Sequence, residues 1–364
     1  MTNEEKTQLY STWGDKLLQH TDVLYSIQKD RIFKPITIQL APTETCDSDC
    51  PFCSVADRPL KSYMPFSQIH QCLLSFKYLG AKSCEITGGG NPLLYNDPKE
   101  SKNINDVINV ANSLGYDVGI ITNSHDLKHL KPEVYEKINW IRISLIKLDE
   151  GKNPEDYNFR GFSYNKLGFS YIIYETGGVP DEFSRTGKTY GGTTSESIEK
   201  IAKLVELNPD IKFVRLAGNC LIKGNNAKIR DQYKEIIEKI DKYEKFFIKD
   251  IGDNDSPFDQ GCTVGMTRPY VAPNPAGGDY RVYICTSHVL QKRTYDIDYS
   301  LCKIEDIVKT WVTMNQRFSQ AGFPYEVKGN KGCGWKDTCK FCYYYNNNKL
   351  LYNVAHDSPD KNFP

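Results

Sequence analysis

Nothing in these 364 residues spans a membrane by its pattern, because no run of about 18 apolar residues occurs anywhere in the chain. Net charge is missing as well, with 46 Lys and Arg against 46 Asp and Glu. A chain without an excess of one sign carries no footprint for a nucleic-acid polymer or an anionic membrane surface. The opening run MTNEEKTQLYSTWGDK has neither the basic start nor the apolar core of a secretory signal. No internal repeat is visible, and no low-complexity tract exceeds Asn346-Asn347-Asn348. Cysteine, by contrast, is plentiful at twelve. Without an export signal, that number argues for metal binding or catalysis over disulfides, and for a reducing, cytoplasmic setting.

Three of the cysteines fall together in Glu44-Thr45-Cys46-Asp47-Ser48-Asp49-Cys50-Pro51-Phe52-Cys53. A CxxC pair alone serves zinc or a redox dithiol as readily as anything else. Three thiolates this close can instead hold three irons of a [4Fe-4S] cluster. The fourth iron is then open to another ligand. The group follows an apolar, strand-like run, Ile36-Thr37-Ile38-Gln39-Leu40.

The rest of the chain alternates. Strands are expected at 36–41, 84–88, 117–122, 140–145, 168–174 and 211–216, and amphipathic helices at 66–79, 103–114, 130–138, 195–207 and 226–242. Six β-then-α units imply an α/β fold, a partial (β/α)6 TIM-like barrel with right-handed crossovers. Active groups gather at the C-terminal ends of such strands, which is where the three cysteines fall. Residues 1–34 read as a polar helical extension packing across one end. Residues 35–243 read as the barrel, and 244–364 as a smaller domain with a β-hairpin and a helix. The Gly/Thr-rich stretch 176–194 is either a lid over the substrate or an ordinary long connection.

The cysteine spacing, with Phe52 just before the last cysteine, resembles the signature of the radical S-adenosylmethionine (radical SAM) enzymes. Further points agree with that resemblance. Thr87-Gly88-Gly89-Gly90-Asn91-Pro92 follows the second strand, where the family usually has Gly-Gly-Glu-Pro lining the site for the SAM amino group. Here Asn91 stands in place of Glu, and the backbone contribution of the glycines is the part retained. Thr122-Asn123-Ser124 looks like the family's Thr-Asn-Gly. Ser144 matches a serine that reaches the SAM ribose. Arg215 matches an arginine that meets the SAM carboxylate, for which a guanidinium fork is suited. Arg142 reads as an exposed or barrel-capping charge. The resemblance implies that SAM chelates the open iron, that one electron cleaves it to a 5′-deoxyadenosyl radical, and that this radical takes a hydrogen atom from substrate. It also implies an electron donor such as flavodoxin or ferredoxin.

A second group lies in the last third, at Cys262, Cys285, Cys333, Cys339 and Cys342. A hairpin-like segment, 270–273 to 280–284, separates the first two. This layout resembles the twitch domain, the shortened relative of the SPASM domain. The resemblance implies an auxiliary [4Fe-4S] cluster on Cys262, Cys285, Cys339 and Cys342, with Cys333 as a possible substitute ligand or a free thiol. Zinc on four of the five is the other reading. Cys72, Cys84 and Cys302 sit in apolar surroundings and read as core. Cys220, after the sixth strand, is either a hydrogen-atom donor to a substrate radical or a small buried residue.

The reaction is then oxidation, with the auxiliary cluster accepting an electron, or a redox-neutral rearrangement or epimerisation. The first 34 residues are too short for a leader-peptide-binding domain. The expected substrate is therefore small, a sugar, nucleoside or amino-acid derivative. A ribosomally made peptide is the alternative, and a non-catalytic iron–sulfur sensor a distant one.

Overall fold

The computed structural model describes residues 1–11, 14–53, 55, 60–159, 161–174, 192–219, 238, 243–249, 262–274, 279–286, 300–321 and 344–356. The strands are β1 (Thr37–Leu40), β2 (Ser83–Ile86), β3 (Asn96–Asp97), β4 (Lys102–Asn103), β5 (Asp117–Thr122), β6 (Trp140–Ser144), β7 (Leu167–Ile173), β8 (Val214–Gly218), β9 (Phe246–Lys249), β10 (Tyr270–Pro273), β11 (Tyr280–Tyr283) and β12 (Cys302–Lys303). The helices used below are α1 (Asn3–Tyr10), α2 (Thr21–Tyr25), α3 (Phe66–Tyr78), α4 (Ile104–Ser113), α5 (Pro132–Tyr135), α6 (Ile146–Asp149) and α7 (Ser195–Leu207). The chain divides into two compact units. The first is Met1–Ser11, Leu40–Phe66 and Cys84–Asp253; the second is Thr12–Gln39, Ser67–Ser83 and Asn254–Pro364.

In the first unit the strand order is β2-β5-β6-β7-β8-β9. From β5 to β9 every neighbouring pair is parallel. β7 is buried on both faces, as a strand between covered neighbours should be. Two crossover helices form for readable reasons. At α4 the Asn103 side chain caps the first turn and Asp106 reaches back to the Asn103 N–H, a capping box. Ile104, Val107, Ile108 and Ala111 then fall on one buried face. At α7 Thr194 and Ser197 make the same kind of box, and Ile198, Ile201, Ala202 and Leu204 are buried.

The expected sixth strand, 211–216, is displaced to Val214–Gly218. The Ile211 N–H is tied back to the Asn208 carbonyl at the end of α7, so the chain joins the sheet later. β9 and the small antiparallel pair β3–β4 add to what the pattern predicts. The expected helix 226–242 lies outside the described residues, apart from the single position 238.

α1 covers the β9 edge. Asn3 Nδ2 donates to the Ile248 carbonyl at 2.9 Å, and the Ile248 N–H donates to Asn3 Oδ1 at 2.7 Å. One side-chain amide thereby takes both hydrogen bonds that a further strand would make, which blunts an otherwise open edge. Tyr10 stacks on Phe213 with ring centroids 4.6 Å apart.

The second unit contains β1, β10, β11 and β12 in the order β12-β11-β10-β1. The expected hairpin is present, with β10 and β11 antiparallel from Tyr270↔Tyr283 to Pro273↔Tyr280. The core centres on Trp311, fully buried on the helix Ile307–Ala321. Its Nε1–H donates to the Met266 carbonyl at 3.3 Å, and its ring meets Phe76 edge-on at 5.2 Å. Trp311→Ala removes the largest buried side chain and a buried donor. We expect a loss of about 3–5 kcal/mol in chemical denaturation, with Trp311→Phe losing less.

Candidate functional site

The cysteine loop and the residues that surround it belong to the first unit. The loop 41–53 carries Cys46, Cys50 and Cys53, none in a disulfide and all partly exposed. The Cys53 N–H bonds the Cys50 carbonyl at 3.0 Å, closing a turn between the last two thiols. Asn123, just past the end of β5, donates from Nδ2 to Cys46 Sγ at 3.6 Å. Among the described residues no three His, Cys, Asp or Glu side chains are arranged as the ligands of a single metal ion.

The glycines after β2 press directly against this loop. Gly88 and Gly89 have φ of 73° and 53°, a left-handed pair that favours glycine. A Cβ on Gly90 would stand 2.0 Å from the Thr45 carbonyl oxygen, so only glycine permits the approach. The Gly90 N–H donates to the Thr43 carbonyl at 2.9 Å, and the Asn91 N–H to the Thr45 carbonyl at 2.7 Å.

Asn91 is buried, and its side chain is saturated. Nδ2 donates to Asp47 Oδ1 at 3.2 Å and Ser124 Oγ at 2.9 Å. Oδ1 accepts from Thr122 Oγ1 at 2.7 Å and from the Leu93 N–H at 3.2 Å, capping the short turn that begins at Pro92. An amide has two donor hydrogens and two acceptor sites, so this one keeps none for a ligand. Its work is to join the ends of β2 and β5 to the cysteine loop.

α6, which immediately follows β6, grips the same loop with charge. Lys147 Nζ donates to the Asp47 carbonyl at 2.7 Å and pairs with Asp47 Oδ2 at 3.3 Å and Glu150 Oε2 at 3.0 Å. Glu150 accepts from Ser48 Oγ at 3.0 Å and from the Asp49 N–H at 2.9 Å. Burial alone would raise the Asp47 carboxyl, but Lys147 and the Asn91 amide outweigh it and hold it below its ordinary value. Burial likewise opposes the charge on Lys147, and its contacts with Glu150 and Asp47 raise it nonetheless. The sequence signal for this grip is two opposite charges three residues apart, directly after the fourth expected strand. Motif reading passed over it.

Ser144 and Arg142 share one face of β6, two residues apart. Ser144 is in register with Ser170, and Ser170 with Arg215. Arg215 Nε is buried and finds no hydrogen-bond partner among the described residues. Burial, then the Arg142 guanidinium, disfavour charge on Arg215, while Glu85 favours it. A guanidinium does not give up its proton in a protein, so Arg215 stays charged in spite of its burial. Arg142, expected to be peripheral, is therefore part of the same electrostatic group.

No family model matches the chain, and no curated protein does. Solved structures do. Streptococcus suis SuiB bound to precursor peptide SuiA aligns with a TM-score of 0.53 and 17% identity, over 95% of this chain and 79% of that one. SuiB bound to S-adenosylmethionine aligns at 0.52 and 17% identity, over 94% and 82%. SuiB alone aligns at 0.51 and 18%, over 96% and 83%. The chain shares the fold of these SuiB structures.

In this fold Cys46, Cys50, Cys53, the Gly88–Gly90 turn and Asn123 come together in one place, and Arg215 and Ser144 lie in register, through Ser170, on β8 and β6. Cys220, Cys333, Cys339 and Cys342 lie outside the described residues, as does most of 176–194. Of the second group only Cys262 and Cys285 are described. Both belong to the second unit, before β10 and after β11 respectively. There Asn348, fully buried, donates to Cys262 Sγ at 3.7 Å and accepts from the Thr263 and Val264 N–H groups at 2.9 Å. Cys72, Cys84 and Cys302 are buried, as expected of core thiols. Burial pushes Cys84 up to about 12 and Cys302 to about 11.

Phe52 leads from the cysteine loop to an acid. Its ring lies 5.4 Å from that of Tyr174. The Tyr174 hydroxyl donates to Asp149 Oδ2 at 3.0 Å and the Tyr171 hydroxyl to Oδ1 at 3.2 Å. Burial raises Asp149 to about 6 against the two tyrosine hydrogen bonds, which lower it. A carboxyl that holds its proton more tightly folded than unfolded stabilises most below its ordinary value near 3.8, and that contribution is lost as pH rises to about 6. We therefore expect Asp149→Asn to gain stability relative to wild type between pH 4 and pH 6 and to hold a constant difference above, as measured by denaturation across that range.

Proposed function

We propose that this protein is a radical SAM enzyme. The observation that carries the reading is the close packing of a loop bearing three cysteines, none in a disulfide, against a glycine turn with no room for side chains. The donor set fits a [4Fe-4S] cluster: Cys46, Cys50 and Cys53 lie on one loop with none in a disulfide, and the Asn123 amide is already directed at one sulfur. Three thiolates leave one iron for SAM. Bound there, the reduced cluster and SAM supply a 5′-deoxyadenosyl radical for hydrogen abstraction.

This chain's residues bind and orient. Backbone carbonyls of the Gly88–Gly90 turn accept from the SAM ammonium. Arg215, with Arg142 near it, takes the SAM carboxylate. Ser144 holds the ribose. Phe52 shields the cluster loop on the Tyr174 side. An auxiliary [4Fe-4S] cluster on Cys262, Cys285, Cys339 and Cys342, with Cys333 as substitute, belongs to the same reading, as does a twitch-like domain over 244–364 with Asn348 fixing Cys262. A flavodoxin or ferredoxin supplies the electron.

Two substrate classes remain. The sequence favours a sugar, nucleoside or amino-acid derivative. The likeness to SuiB, solved with its precursor peptide, supports a ribosomally made peptide. Either undergoes oxidation or a redox-neutral change, and Cys220 is the hydrogen donor in the redox-neutral case.

Anaerobic reconstitution should load about eight irons per chain, two [4Fe-4S] clusters. Changing Cys46, Cys50 and Cys53 together to Ala should leave about four and abolish 5′-deoxyadenosine formation. Persistent 5′-deoxyadenosine from the reduced triple mutant sinks the assignment, and about four irons in wild type removes the auxiliary cluster. Arg215→Met should weaken SAM binding about 10- to 100-fold, the worth of a hydrogen bond to a charged group. Arg215→Lys, which keeps a point charge without the fork, should recover part of it in calorimetric titration.

A further inference from the structure

We propose that Lys147 and Glu150 are positioning residues that hold the Asp47–Asp49 stretch, between the first two cysteines, in its ligand-presenting shape before any cluster binds. The proposal rests on the radical SAM reading for what the loop presents, but the clamp itself is a property of the cluster-free chain.

An ordinary surface ion pair does little. This one differs in three ways. Lys147 is buried, at 8% exposure, and the Glu150 side chain is 16% exposed. Both residues reach across about 100 positions of sequence, and two of their contacts are to backbone, at the Asp47 carbonyl and the Asp49 N–H. The contacts also interlock. Lys147 bonds Asp47 and Glu150, and Glu150 bonds Ser48 and Asp49, so three consecutive residues are held by two side chains. A loop of three residues between two metal ligands has few backbone torsions. Fixing its carbonyl and its amide fixes most of them. Geometry set beforehand spares the ordering cost at the moment of binding.

The test is hydrogen exchange on the full-length, cluster-free chain. Lys147→Met and Glu150→Ala should speed exchange across 46–53 by about tenfold or more, the effect of losing charge-assisted hydrogen bonds in a local opening. β5 and β6 should stay as protected as in wild type, and Lys147→Arg should restore slow exchange. Unchanged exchange at 46–53, or a rise shared equally by β5 and β6, overturns the clamp. If Lys147→Met cannot be isolated folded, Glu150→Gln, which keeps the shape and loses the charge, carries the same expectation at smaller size. Reconstituted wild type, reduced with dithionite to the paramagnetic [4Fe-4S] state, is then examined by electron paramagnetic resonance with and without SAM. No iron–sulfur signal from the reduced protein defeats the functional reading, while the exchange comparison still decides the clamp. With a signal present, a broader and more heterogeneous spectrum in the variants, recovered in Lys147→Arg, supports the clamp, and identical spectra count against it.

Discussion

One buried amide holds the site together. Asn91 spends both hydrogens and both acceptor sites on four partners from different segments: the cysteine loop, the end of β5, Ser124 beyond it, and its own following turn. Every other feature depends on that junction. The glycine turn can press on Thr45 because Asn91 bonds the same carbonyl. Asn123 can face Cys46 because its neighbours Thr122 and Ser124 are tied to Asn91. An amide in this place is neutral, so the junction adds no charge beside the thiols. A glutamate could accept from Thr122 but could not donate to Asp47. The asparagine thus fits the carboxylate it faces.

The electrostatics are sorted by position. Around the cysteine loop opposite charges are in direct contact: Lys147 answers both Asp47 and Glu150. On the sheet face near β6 and β8, burial and Arg142 disfavour the charge on Arg215 while Glu85 favours it. Burying a charge is among the costliest things a fold can do, and the cost falls where an opposite charge is near. The carboxyl of Asp149 is a third case, held near neutrality by burial and two tyrosine hydroxyls.

Much of this was legible beforehand. The strands at 84–88, 117–122, 140–145 and 168–174 follow from apolar runs bounded by helix signals, and β2, β5, β6 and β7 answer them within a residue or two. The cysteine loop and the glycine turn were legible because their chemistry is local, a spacing in one case and three small residues in the other. The hairpin β10–β11 was legible from its turn residues. What was missed is non-local. Lys147 looks like any helix-surface lysine until Asp47, 100 residues earlier, lies beside it. Arg142 reads as peripheral until β8 brings Arg215 near. β9 was passed over because Phe246–Lys249 is a short apolar run that no period distinguishes from a helix fragment.

The amide of Asn3 has a bearing on the order of events during synthesis. Its partner Ile248 leaves the ribosome 245 residues later. Until then α1 has no sheet edge to cap, and its Thr2–Glu5 box can hold only a single isolated helix of 8 residues, too short to persist in water. This early segment is thus among the last of the first unit to find its place. It meets β9, the edge of the parallel sheet among the described strands, when the sheet behind it is already built, so its docking reports that the first unit is finished.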